Sequence, residues 1–63
     1  MKTKDYRESY FKDGRLTGSF IIRKDTEAFV VRCAAVNTIK GERCQVQEMD
    51  GPLVWDWTDD GTI

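Results

Sequence analysis

The chain predicts an all-β domain: a small antiparallel five-strand meander curled into an SH3-like or OB-like open barrel. Three observations carry that expectation. The most apolar runs, Phe20-Ile21-Ile22 and Phe29-Val30-Val31, are β-branched and aromatic, the residue types that suit a pleated surface. Asp13-Gly14 and Asp50-Gly51 each stand between runs of strand-like character, the strongest short hairpin signal. Pairing the runs about turns chosen one at a time then gathers Phe11, Leu16, Phe20, Ile22, Phe29, Val31, Cys33, Cys44, Val46, Leu53, Trp55 and Trp57 on one face. A slip of one residue in any strand would break that set.

Residues 1–5 are polar and read as a frayed end, as do residues 59–63. Tyr6–Lys12 reads as the first strand. Tyr6 and Tyr10 also stand at helical i, i+4 spacing, so a short helix stays open there. Asp13-Gly14 turns the chain into Arg15–Arg23, with Phe11 opposite Leu16. A turn centred on Asp25-Thr26 leads to a third strand, Ala28–Ala35, with Ile22 facing Phe29 and Phe20 facing Val31. Thr is a poor residue for positive φ, so this loop is expected to be longer than two residues. After a loop around Asn37 to Gly41, Glu42–Met49 forms a fourth strand, with Cys33 opposite Cys44 and Val31 opposite Val46. Asp50-Gly51 leads into Leu53–Thr58, where Val46 meets Trp55 and Cys44 meets Trp57. Pro52 cannot donate a ladder hydrogen bond, which suits the start of an edge strand. Residues 1–63 thus read as a single small β domain without internal repeat.

The 63 residues include two cysteines and no histidine. That excludes a zinc site of four Cys/His ligands within one chain and leaves no imidazole base for neutral pH. The five glycines are scattered at turns rather than gathered into a phosphate loop. The expectation is a non-enzyme with no catalytic residues, no cofactor and no metal. Cys33 and Cys44 could form one disulfide if they face each other; as reduced thiols they pack as small hydrophobes. Met1-Lys2-Thr3-Lys4-Asp5 leads into polar sequence, and no run approaches the roughly 20 apolar residues of a membrane span. A cytoplasmic protein without membrane contact is expected.

Net charge is −1, but its distribution is uneven. All ten Lys and Arg lie at or before Arg43, and the stretch from Cys44 to Ile63 holds five acids and no base. In so small a domain the two halves interleave, and pairing across strands is the simplest outcome; separate patches would suit a charged partner.

The face opposite the apolar set carries Tyr6, Tyr10, Ile21 and Val30, with Arg23 and Arg32 at its rim. A solvated face has no need of such a cluster, so these six residues are the candidate partner-binding surface. The functional expectation is a small non-enzymatic protein-binding module. It would act as an inhibitor or adaptor, docking on a larger intracellular macromolecular complex or on its own copy as a homodimer. The alternative is a single-stranded DNA- or RNA-binding barrel. Its carriers would be Lys12, Arg15, Arg23 and Lys24 at hairpin turns and Arg32 and Arg43 near the sheet, together with Tyr10, and with Trp55 and Trp57 as stacking residues. Against nucleic acid stand Asp56, Asp59 and Asp60, which surround the tryptophans and repel phosphates. The tryptophan pair is open to a core role as well as a contact role.

Overall fold

The computed structural model describes residues 2–59. It contains β1 (Lys4–Lys12), β2 (Arg15–Asp25), α1 (Glu27–Asn37), β3 (Glu42–Glu48) and β4 (Leu53–Thr58). The four strands form one antiparallel sheet in the order β2-β1-β3-β4, and α1 packs on one side of it. The chain is mostly β and antiparallel, as expected. The N-terminal segment is a strand and includes Lys4 and Asp5, two of the residues expected to fray. The remaining expectation of a fraying tail falls on Asp59, whose backbone bonds to Gly41 and Glu42, and on residues outside those described. The five-strand meander is corrected. The sheet has four strands with open edges at β2 and β4, and the segment expected as strand Ala28–Ala35 is helical.

The helix starts where the loop centred on Asp25-Thr26 is expected. Thr26 sits in extended backbone, and its Oγ1 accepts a hydrogen bond from Phe29 N at 3.4 Å, the geometry of an N-cap. Glu27 adds negative charge to the first turn. Val30 and Ala34 then fall on one helical face and are 1% and 0% exposed against Tyr6, Tyr10, Cys44 and Val46. Strand preference in Phe29-Val30-Val31 loses because burial decides it: a side chain's taste for a pleated surface is largely a taste for packing, and this helix supplies packing. Ala34 ends at Cβ, which lets α1 lie close to the sheet. The helix stops at Thr38, whose N–H and hydroxyl both donate to Ala34 O, at 3.0 and 2.7 Å.

The β1–β2 hairpin forms as expected at its tip. Asp13 and Gly14 have φ of 53° and 78°, the double positive value of a type I′ turn, and Phe11 pairs with Leu16. One step further in, the ladder slips: Tyr10 pairs with Gly18, and Thr17 is left over as a β-bulge. The Thr17 hydroxyl donates to Tyr10 O at 3.2 Å. A second irregularity lies near Lys24 (φ 54°), where Asp5 Oδ1 accepts from Lys24 N at 2.9 Å, and a third leaves Val54 unpaired in β4.

The bulge at Thr17 decides the core. It places Phe20 and Ile22 on the same side as Glu8 and Tyr6, and leaves Phe11 and Leu16 on the other. The helix-facing side carries two cross-strand rows, Phe20–Glu8–Val46–Trp55 and Gly18–Tyr10–Cys44–Trp57. Val46–Trp55 and Cys44–Trp57 pair as expected, whereas β3's other neighbour is β1, so Cys33 does not oppose Cys44. Both cysteines are free. The two halves of the chain pair electrostatically across strands, through Lys4–Glu48 at 2.7 Å and Arg43–Asp56 at 2.6 Å. No helix among the described residues is long and apolar enough to cross a membrane.

Candidate functional site

The far side of the sheet is uncovered. The register lays three rows across its strands: Ile21–Arg7–Gln47–Leu53, Ser19–Ser9–Gln45–Asp56 and Leu16–Phe11–Arg43–Thr58. Leu16, Ile21 and Leu53 are 59%, 48% and 48% exposed, and Phe11 is half-buried beside Leu16. Apolar side chains thus stand at the margins of a face whose middle is Ser, Gln and Arg.

That middle is partly braced. Arg43 grips Asp56 with two parallel bonds, Nε to Oδ1 at 2.9 Å and Nη2 to Oδ2 at 2.6 Å, and Gln45 reaches Oδ2 at 3.4 Å. The guanidinium holds the Asp56 carboxyl below its usual value. Gln47 Nε2 donates to Gly51 O at 3.1 Å and ties the β3–β4 turn to the face. Arg7 makes no ion pair among the described residues and presents its cation between Ile21 and Gln47.

The six residues singled out in the sequence do not come together. Tyr6, Tyr10 and Val30 are 3%, 7% and 1% exposed and form the core with Ala34, Cys44 and Val46. Ile21 points away from them, on the uncovered face. Arg23 is exposed two residues further along β2, and Arg32 is exposed on α1, on the opposite side of the sheet. The expected contact cluster is therefore divided: three members are core, and of the remaining three only Ile21 and Arg23 share the β2 edge. Counting alternation without the Thr17 bulge puts Tyr6 and Ile21 on one side; the bulge separates them. Leu16, Leu53 and Phe11, expected in the core, are the exposed or half-exposed residues instead.

The core is not wholly apolar. Glu8 is 6% exposed, and its Oε1 accepts the Tyr10 hydroxyl at 2.7 Å. Burial, reinforced by this bond, raises the Tyr10 phenol well above its ordinary value. Burial likewise raises the Cys44 thiol, although polar contacts from Thr38 and Tyr10 pull the other way. Trp55 is half-buried against the core, with Trp57 beside it at 5.9 Å between ring centroids and 41% exposed, so the pair divides between packing and solvent. Among the described residues no group of three or more Cys, Asp or Glu side chains is placed to hold a metal ion.

No protein-family model, curated protein or solved structure matches this chain.

Proposed function

We propose that this chain is a non-enzymatic protein-binding module that docks through the uncovered face of its sheet, acting as an inhibitor or adaptor of a larger assembly or pairing with its own copy. The observation that carries this reading is the one-sided cover. A single helix covers the middle of one side, leaving Phe20 and Trp57 exposed at its margins, and nothing covers the other, which is left with Leu16, Ile21, Leu53 and Phe11 around a hydrogen-bonding middle. Such a mixture of apolar and polar groups is what non-obligate interfaces are made of. The molecule's two longer extents, 34 and 23 Å, bound a face on the order of 800 Å², which is what each partner contributes to a standard specific interface.

The test is size-exclusion chromatography with light scattering on protein purified without nuclease, read at 260 and 280 nm, repeated with Ile21→Asp and Leu53→Asp. A complex with protein-like absorbance that both substitutions dissolve, while Val36→Asp on α1 leaves it intact, supports the reading. A complex indifferent to both outer-face substitutions sinks it. A peak rich in 260 nm absorbance that is lost at high salt replaces it with nucleic-acid binding, because phosphate contacts release counterions.

A further inference from the structure

On the helix side of the sheet, beyond the end of α1, lies a cleft of about 400 Å³ lined by Glu8, Tyr10, Gly18, Phe20, Asn37 and Glu42, with Thr17 at its edge. The helix packs over Tyr6, Tyr10, Cys44 and Val46 and leaves the Gly18–Phe20 part of β2 uncovered, and Phe20 remains 57% exposed. Gly18 keeps the floor low: a Cβ there would stand 3.3 Å from the Phe20 ring. That ring meets Tyr10 edge-on, with centroids 5.9 Å apart at 76°.

The electrostatics of this cleft have one sign. Glu8 is more than nine-tenths buried, yet its bond to Tyr10 occupies only Oε1. Among the described residues Oε2 has no hydrogen-bond partner, and neither Lys nor Arg lies within 4.0 Å. No sealed side-chain oxygen lacks a partner, so Oε2 is open to the cleft that Glu8 lines. Glu42 brings a second carboxylate, whose Oε1 accepts from Ile39 N at 3.0 Å. The last turn of α1 ends here with no basic residue to offset its partial negative charge. Lys12, across the ladder from Glu42, and Arg15 beyond it are exposed and form no ion pair among the described residues. A buried carboxylate with no cation beside it, next to an aromatic face, is an arrangement that a cation on an apolar stem completes: the stem lies on Phe20 and the charge meets Glu8.

We infer that this cleft is a receptor for a guanidinium or ammonium group on an aliphatic stem, the group that an arginine or lysine side chain of a partner protein presents. It stands on the side of the sheet opposite the proposed docking face and does not depend on that reading. The volume is many times the roughly 30 Å³ of one water, enough for such a side chain. Guanidinium fits a carboxylate better than ammonium does, because its planar fork matches the two oxygens and it sheds water more readily.

The experiment is an amide-detected NMR titration of the full chain with Nα-acetyl-arginine methylamide, with the lysine analogue and spermidine as further arms and acetyl-norleucine methylamide as the uncharged control. The expected result is saturable shifts confined to Glu8, Gly18, Phe20 and Asn37 with a millimolar constant, weakening as salt is added. The norleucine control should produce none. Tighter binding of spermidine than of arginine assigns the cleft to free polyamines and overturns the side-chain assignment. Glu8→Gln, which keeps an acceptor for Tyr10, should reduce affinity at least tenfold. Because Glu8 is buried, a second variant guards against misfolding: Asn37→Arg supplies a tethered cation from an exposed position and should block the probe while raising the melting temperature. Equal binding of the uncharged control, or affinity unchanged in both variants, overturns the inference.

Discussion

The Tyr10 hydroxyl donates a 2.7 Å hydrogen bond to Glu8 Oε1, two residues back on the same side of β1. Both side chains are more than nine-tenths buried, so the bond replaces water for two groups at once. Tyr10→Phe keeps the ring and its edge contact with Phe20 but leaves the carboxylate without its donor. A buried acceptor deprived of its partner costs about 1–3 kcal/mol. Urea unfolding should show that loss with the slope against urea unchanged; a loss of under a few tenths would mean that the carboxylate is already well solvated through the cleft.

Alkaline stability follows from the same neighbourhood. Burial raises Tyr10 from its ordinary 10.0 and Cys44 from its ordinary 9.0. Above pH 9 the unfolded chain has released protons that the folded chain still holds. The contribution of these groups is therefore complete below their ordinary values and declines as pH rises toward their folded ones. Melting temperatures measured across pH 8 to 11 should fall progressively above about pH 9. In Tyr10→Phe the part of the fall beginning near pH 10 should shrink.

The two thiols should separate cleanly. Cys44 is 0% exposed, with its thiol shifted upward, whereas Cys33 is half-exposed on the outer flank of α1. Thiolate is the reactive form, so N-ethylmaleimide at neutral pH should add one equivalent quickly, located at Cys33 by mass spectrometry. The second should follow only at the rate of unfolding or local opening. Simultaneous labelling of both would contradict the packing of α1 on β3.

Helix placement can be tested by size. Ala34 is 0% exposed on the sheet-facing side of α1, and Val36, two residues on and so on the opposite side of the helix, is 77% exposed. Ala34→Leu forces extra volume between helix and sheet and should cost about 1–3 kcal/mol or more. Val36→Ala should stay within about 0.5 kcal/mol, as exposed substitutions do. Circular dichroism melts of the two variants check the contrast, which a strand over Ala28–Ala35 would erase by placing residues 34 and 36 on one side.

The N-cap offers a milder test. Thr26 Oγ1 is the side-chain partner of Phe29 N. Thr26→Ala should cost about 1 kcal/mol, and Thr26→Asp should retain or exceed the native value because Asp both caps and suits the positive end of the helix. Chemical denaturation of the pair decides whether the cap geometry matters.

Both hairpin tips and the β3–β4 pairing were legible because Asp-Gly between strand-like runs leaves little choice. Type I′ geometry asks for two residues tolerant of positive φ, and Asp13-Gly14 are such residues. The helix was written more faintly. Its signs were Thr26 followed by Glu27, and Ala34-Ala35 in a segment otherwise rich in strand formers; the apolar stretch Phe29-Val30-Val31 outweighs them when each residue is judged by type. The outer face was illegible for a different reason. Which side Ile21 shares depends on whether the ladder keeps step at Thr17, and the energy that settles this lies in the packing of Tyr10, Phe20 and Val30 across three elements, far beyond any local window. The makeup of the uncovered face was therefore half legible: alternation gives Ile21 and Arg23 an outward side, while it assigns Leu16 and Leu53 to the core and gives no sign of Arg7.

Thr17 has one more consequence. Because it is the residue that β2 carries in excess of its partner, removing it would restore an unbroken ladder, with Leu16 still paired to Phe11 and Gly18 still paired to Tyr10. Deletion inside a strand normally turns everything beyond it inside out, yet here the chain holds a spare link. The hairpin can be shortened by that one residue with its solvated and packed sides preserved, losing only the local kink and the hydroxyl's bond to Tyr10 O. A one-residue deletion at Thr17 thus leaves unchanged which side of the sheet meets water.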